Sequence, residues 1–464
     1  MWKPDTTRKD GPVYLAIADA LARDIASGRL EPGERLPTHR ELSKRLGLNV
    51  MTVTRAFAEA ARRGLVEAEV GRGTFVRRRD VAATAPALAA ARGEGDLVDF
   101  DFNLPVGNLA ALDPSPILAD LARGDKKGSR LVHSGYSTSG QAEHRAAGAA
   151  WIGRSGLEAD AERTILCGGA QHAMAVTLAT LAAPGDPILT EELTFPGMKA
   201  LASLLHLRPL GVAMDESGLV PEALEEAARK SGARVLYCMP TLHNPTGIVM
   251  PDARRREIAR VARRHGIAVV EDDSYGFLCA DAPPPIAARA PEIGYFLTST
   301  SKSLAAGLRI GYLQAPDAAA VERLGATVAG FTWMAAPLMA EIASRWIRSG
   351  AAAAEVEWKR AEAAARRAIF DAAVGAGASA SHRASPHVFL PLPPPWRADG
   401  FVAEARRRGV AVTPAEPFVA GRAAAPHAVR VCLTTPPTRA EVESGVATLA
   451  RVLAGAPRSG RSLV

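Results

Sequence analysis

The chain has 464 residues, 48% of them hydrophobic, and a formal net charge of +7, a length that exceeds one ordinary core and predicts two or three domains. No run of about 18 uncharged apolar residues occurs, which excludes a helical membrane span, and residues 1–10 are polar without a signal core, which points to the cytoplasm. The charge is uneven: residues 1–80 hold 16 Lys/Arg against 11 Asp/Glu, a net of +5, leaving +2 for the other 384, so a polyanion partner is expected near the start.

Residues 13–26 place Leu15, Ile17, Ala18, Leu21, Ala22 and Ile25 at helical spacing and stop at Gly28, predicting a first helix. Residues 30–37 read as a turn. Thr38 with Glu41 three positions on is a capping box, opening a second helix through Leu46 that Gly47 ends. Asn49 caps a third helix running to about Arg63, stopped by Gly64. Two short helices joined by a glycine-containing turn make a helix-turn-helix, the later one placed for the major groove. Residues 65–69 and Gly71-Arg72-Gly73-Thr74-Phe75-Val76 form a hairpin whose basic tip can reach DNA backbone or minor groove.

This segment resembles the winged helix-turn-helix of the GntR family through Leu36-Pro37-Thr38-His39-Arg40-Glu41-Leu42, Thr52-Val53-Thr54-Arg55-Ala56-Phe57, Gly64-Leu65-Val66 and Gly73-Thr74-Phe75. The resemblance implies that Thr38, Arg40, Asn49, Thr52, Arg55, Arg72 and Thr74 face DNA, although each arginine alone also reads as a solvated helix face. Val50 departs from the pattern, because the family often has Arg just after the cap of its recognition helix. A base contact made by that Arg is absent or replaced here.

Residues 77–97 begin Arg77-Arg78-Arg79-Asp80, continue Ala-rich with Pro86, Gly93 and Gly95, and sustain no amphipathic period. They read as a linker, about 25 Å r.m.s. as a flexible coil; a short Ala-rich helix is the alternative.

From residue 98 onward, helical and strand-like segments alternate, the pattern of an α/β domain with a mostly parallel sheet. Ligands of such sheets collect at the carboxyl ends of strands. Ile165-Leu166-Cys167 leads into Gly168-Gly169-Ala170-Gln171, a small-residue turn opening a helix whose free amides suit a phosphate. Phe195 follows the strand Pro187-Ile188-Leu189-Thr190 and offers a ring for stacking, or for core. Asn244, in His243-Asn244-Pro245-Thr246-Gly247, follows the strand from Val235. Asp272 and Tyr275 end the run Ile267-Ala268-Val269-Val270-Glu271. Lys302 lies in Ser299-Thr300-Ser301-Lys302, seven positions before Arg309. A lysine among small hydroxyls with a nearby guanidinium suits a phosphate-bearing carbonyl cofactor, of which pyridoxal phosphate is the common one, held as a Schiff base. Cys167, Cys238, Cys279 and Cys432 stand apart in apolar settings and read as reduced core residues, not as a metal or disulfide framework.

In this order and spacing, HNPTG, DDSY and STSK with its downstream Arg resemble the fold type I, aspartate-aminotransferase-like enzymes over essentially all of 98–464. The resemblance implies an α/β transferase fold with a smaller C-terminal α/β subdomain from about residue 330. It implies that Lys302 forms the internal aldimine and Asp272 pairs with the pyridine nitrogen. Asn244 and Tyr275 would hold the 3-oxygen and Phe195 would stack on the ring. Ser299, Arg309 and the amides of Ala170 and Gln171 would hold the phosphate, Tyr136 would serve a neighbouring chain's phosphate, and Arg430 would take a substrate carboxylate. His172, His243 and Asp273 read as structural.

A GntR-type reader ahead of such a domain resembles the MocR subfamily of bacterial transcription regulators. That resemblance implies a homodimer, each reader packed on the other chain's large domain. It implies a response to an amine or amino acid by aldimine exchange, or to pyridoxal phosphate itself. The alternative is a working aminotransferase with an appended DNA-binding module, for which a recognition helix and basic wing have no use.

Overall fold

The computed structural model describes Trp2, Pro4 and residues 12–26, 29–31, 33–62, 65–69, 73–76, 97–108, 111–123, 127–133, 135–421 and 424–455. They fall into two compact units, Met1–Thr84 and Ala85–Val464. Most of the linker segment lies outside the described residues, as does Arg72 at the hairpin tip.

In the first unit, α1 is Val13–Ala26, α2 is His39–Leu46 and α3 is Val50–Arg62. The capping box forms: the Thr38 hydroxyl accepts from the Glu41 amide at 3.3 Å and the Glu41 carboxylate accepts from the Thr38 amide at 2.9 Å. Gly47 closes α2 at φ 64°, a left-handed turn that favours glycine. Ile17, Leu21, Leu42, Val53 and Phe57 bury their side chains in one core, so the period of each helix becomes the inner face of a three-helix cluster. Strands β1 (Val66–Glu69) and β2 (Gly73–Val76) pair antiparallel, and the Leu36 amide bonds the Thr74 carbonyl at 2.9 Å, tying the hairpin to the entry of α2.

The second unit is built on a seven-stranded sheet. Its strands are β4 (Thr164–Cys167), β5 (Pro187–Glu191), β6 (Arg208–Val212), β9 (Val235–Cys238), β10 (Ala268–Asp272), β11 (Gly294–Ser299) and β12 (Gly311–Gln314), in the order β4-β12-β11-β10-β9-β5-β6. Two-residue strands β3 (Val98–Asp99), β7 (Met214–Asp215) and β8 (Gly218–Leu219) lie outside it. Only β12 runs antiparallel to its neighbours. Every residue of β9 and β11 is buried, as parallel strands covered on both faces require, which is why they read as apolar runs and not as alternations.

The smaller sheet orders β13 (His387–Pro391), β16 (Ala428–Cys432) and β15 (Thr413–Pro414), while β14 (Val410–Ala411) pairs in parallel with β3. Its core contains Phe370, Val388, Phe401 and Val431, and also Phe100, which is fully buried. This subdomain thus draws on the first residues of the domain as well as its last. The helix Ala351–Val374, about 36 Å long, sets Val356, Ala363 and Phe370 into three different cores.

Candidate functional site

The carboxyl ends of β5, β9, β10 and β11 put Phe195, Asn244, Asp272, Tyr275, Ser299 and Lys302 on one edge of the large sheet. Lys302 sits in the single turn Thr300–Ser303 after β11, and its ammonium donates to the Asn103 carbonyl. Enclosure of the amine pushes its pKa down to about 8, and nearby Arg430, Arg309 and Lys359 add to the shift. Near neutral pH a sizeable fraction is therefore a free amine, the form that adds to a carbonyl.

Asp272 is buried and accepts from the Tyr237 hydroxyl at 2.9 Å, the Ser274 hydroxyl at 2.6 Å and the Ser274 amide at 3.0 Å. Burial still raises its pKa above the usual range, since these donors are neutral. A ring nitrogen carrying a proton is the kind of partner that restores such a carboxylate to its charged form.

Asn244 and Tyr275 are both buried. The Asn244 side-chain oxygen accepts from Arg430 Nη1 at 2.8 Å, and Arg430 Nη2 donates to the Asp101 carbonyl at 2.6 Å. The guanidinium also lies 4.7 Å from the centroid of Phe418. Among the described residues, Arg430 Nε is buried without a hydrogen-bond partner, an unmet donor of the kind that an anionic ligand satisfies.

The phosphate-suited end has the same character. Gly169 caps the helix Ala170–Leu181 at φ 89°, and a Cβ there would stand 2.9 Å from Arg309 Nη2, so only glycine lets the guanidinium come this close to the helix start. The first amides of that helix, those of Ala170 and Gln171, have no intrahelical acceptor. Arg309 adopts a left-handed backbone at φ 52°, a strained conformation for a non-glycine residue, and donates to the Ser301 hydroxyl at 3.2 Å. Buried Ser299 ends β11 immediately before the turn that carries Lys302. Phe195 precedes the helix Pro196–Leu204 and packs partly against the core; its ring would be 2.4 Å from any Cβ at Gly197. Lysine, carboxylate, ring platform and phosphate donors form one set that fits pyridoxal phosphate.

Tyr136 is not brought into this set by its own chain. It is 74% exposed and its ring lies 5.0 Å from that of Trp333, which is 58% exposed. His172 and His243 are held neutral by burial, His243 down to about 4.

The sequence reading missed Tyr237, Asp101 and Asn103. Tyr237 was the one polar aromatic in the apolar run of β9, a usable signal. The two carbonyls of 101–103 had none, because any residue supplies a backbone oxygen.

In the first unit, Arg40, Asn49 and Arg55 are exposed, and so is Thr38 apart from its capping bond. Thr52 and Thr74 are half-buried. The Asn49 side chain accepts from the Met51 amide at 2.8 Å, so it caps α3.

Comparison with known proteins agrees with both halves. Residues 13–76 match the family "Bacterial regulatory proteins, gntR family", and residues 102–449 match "Aminotransferase class I and II". The HTH-type transcriptional regulator YdeF of Bacillus subtilis is 32% identical over 460 residues, 97% of this chain and 96% of that one. The vitamin B6 salvage pathway transcriptional repressor PtsJ of Salmonella typhimurium is 28% identical over 332 residues, 70% of this chain and 73% of its own. Among solved structures, the α-aminoadipate aminotransferase LysN of Thermus thermophilus, complexed with N-(5'-phosphopyridoxyl)-L-leucine, aligns with a TM-score of 0.69 at 25% identity over 78% of this chain and 93% of that one. Reader, transferase fold and cofactor set occur in one chain: it belongs to the MocR subfamily of GntR-type transcription regulators, with an aminotransferase-like domain whose cofactor is pyridoxal phosphate.

Proposed function

We propose that residues 98–464 sense an amine or amino acid at the cofactor and that this controls DNA binding by residues 1–76 through a tether at 77–97. The observation that carries this reading is the buried Arg430, with one unmet donor, beside Asn244 in a chain that begins with a DNA reader. Lys302 would hold the cofactor, Asp272 its ring nitrogen, Asn244 and Tyr275 its 3-oxygen, and Phe195 its ring face. Ser299, Arg309, Ala170 and Gln171 would hold the phosphate, with Tyr136 reaching the phosphate of a second copy. When bound, pyridoxal phosphate supplies an aldehyde carbon at which an effector amine can replace Lys302. Arg430 would then orient the effector's carboxylate.

The exposed rings of Tyr136, Phe331 and Trp333 support a homodimer, since large aromatic groups rarely stay in water. A swapped arrangement of readers, a cytoplasmic location and use of the domain for sensing instead of turnover belong to the same proposal. Turnover of amino acid with keto acid, set against a gel shift on upstream DNA, separates sensor from enzyme.

Two outcomes are expected. Capture of pyridoxal phosphate by the apoprotein should accelerate about fivefold from pH 7 to pH 8 and level off above pH 9, following the neutral fraction of an amine with a pKa of about 8. A lysine of ordinary pKa would keep gaining about tenfold per unit, and stopped-flow absorbance distinguishes the two. In a DNA-binding titration against a panel of amino acids, the active effector should change affinity about 5- to 150-fold, a coupling of about 1–3 kcal/mol. Arg430→Ala should lose that response to carboxylate-bearing effectors. A full response in Lys302→Ala would place sensing away from the cofactor.

A second reading, that the protein answers to pyridoxal phosphate itself, is favoured by the likeness to PtsJ, a regulator of vitamin B6 salvage by its name. Release of DNA on adding the cofactor alone to apoprotein would select it.

A further inference from the structure

Helix α3 turns Val53, Ala56, Phe57 and Ala60 inward, all of them buried. At about 100° per residue, positions 51, 55, 58 and 62 then lie along its outer face, with 50, 54 and 61 along one flank. The outer face of a solvated helix is normally polar. This one begins with Met51 at 62% exposure, flanked by Val50 at 40%, and reaches a charge only at exposed Arg55, one turn on, before exposed Ala58. Thr54, on the flank one turn beyond Val50, has its hydroxyl 3.2 Å from His39 Nδ1, and that imidazole packs on Phe57 with ring centroids 4.7 Å apart. The hydroxyl is therefore engaged within the protein.

The leading end of the helix is fixed. Asn49 bonds the Met51 amide at 2.8 Å through its side chain and the Thr52 amide at 3.0 Å through its carbonyl. The first two residues of the reading helix thus present apolar surface in a defined position, with exposed Arg40 and Arg55 on neighbouring turns. Those cations favour a polyanion over a protein surface as the occupant. Neither Val nor Met can match the donors and acceptors of base edges. The one apolar feature of the major groove is the C5 methyl of thymine.

We propose that Val50 and Met51 read thymine methyl groups, so that the operator half-site carries thymine where a polar residue after the cap would select another base. The inference rests on DNA binding by residues 1–76 and deepens it by naming a base class. Sequence choice at those positions comes from packing, and orientation comes from the phosphate contacts around it.

The test uses the full-length holoprotein. Its preferred site is selected from a random duplex library, and each thymine of that site is then replaced singly by deoxyuridine, which pairs identically and lacks only the methyl. One or two positions per half-site are expected to lose about fourfold in affinity on substitution, the worth of one buried methyl. In Val50→Ala or Met51→Ala the same replacement should cost little, because the packing partner is gone. Both side chains are exposed, so these variants should keep wild-type circular dichroism and melting. Binding that is indifferent to deoxyuridine at every position overturns the proposal, as does an undiminished penalty in both variants. Variants that change assembly state and leave the deoxyuridine penalty intact would make this face a protein contact. Failure to select any duplex would instead refute DNA binding itself.

Discussion

Lys302→Ala is expected to purify colourless and to release all added pyridoxal phosphate on dialysis, whereas the wild type stays yellow. Nearby Lys359 has its amine engaged by the carbonyls of Lys302 and Leu304, which leaves Lys302 as the attachment point at the strand end. The groups that would remain, Arg309, Ser299 and the amides of the helix Ala170–Leu181, would each offer an ordinary hydrogen bond, charge-assisted ones worth about 1.5–3 kcal/mol each. Absorbance spectra before and after dialysis decide it: equal, retained colour in the variant would place the attachment at another lysine. The far-ultraviolet circular dichroism should be unchanged, because Lys302 makes one hydrogen bond to a carbonyl and supports no core.

Arg255→Ala is expected to destabilise the large unit by about 3–5 kcal/mol, the cost of removing one member of a buried ion pair. Arg255 is fully buried, with Nη1 3.8 Å from the Glu271 carboxylate. It donates to the carbonyls of Met250 at 2.9 Å and Pro240 at 3.1 Å and to the Thr241 hydroxyl at 2.9 Å. These acceptors flank the loop that carries Asn244, so the variant should also hold the cofactor less firmly.

The loss should grow with pH. Burial already raises the pKa of Glu271 and Arg255 opposes that rise. Without the arginine, the folded-state pKa moves further above its unfolded value. Folding then takes up a proton, which costs more as pH rises. The neighbouring Arg256→Ala removes an exposed pair to Asp252 at 2.8 Å and should cost under about 1 kcal/mol. Urea midpoints at constant slope test both, and an Arg255→Ala variant within 1 kcal/mol of wild type would contradict the account.

These two arginines mark the division between what could be read and what could not. In Arg254-Arg255-Arg256, on the helix Asp252–His265, the residues are chemically identical; the period of Ile258, Ala259 and Ala262 puts Arg255 on the apolar face, but nothing local supplies its partner Glu271. Helices α1 to α3 were not ambiguous in kind. The Thr38–Glu41 box, the stop at Gly47 and the apolar period act within one or two turns, where a backbone amide and a side chain three positions away must meet. A strand with all residues buried, such as β9, was legible as an apolar run for a similar reason. The cofactor motifs were legible because each lies at a strand end, where a sheet of this kind gathers its ligands.

The sequence by itself thus determined the elements of the reader and the strand-and-helix alternation of the large domain. It also determined which residue types stand ready at the strand ends. Tertiary structure alone decided their partners. The Tyr237 hydroxyl meets Asp272 from 35 residues away, Arg430 meets Asn244 across 186, and Lys302 meets the Asn103 carbonyl across 199. It also decided that Lys302 titrates near pH 8, that Phe100 joins a core built by the far end of the chain, and that Val50 and Met51 remain in water. The physical reason is one of range. Capping and periodicity depend on neighbours along the chain, whereas desolvation and pairing of a polar group depend on whatever the fold packs around it.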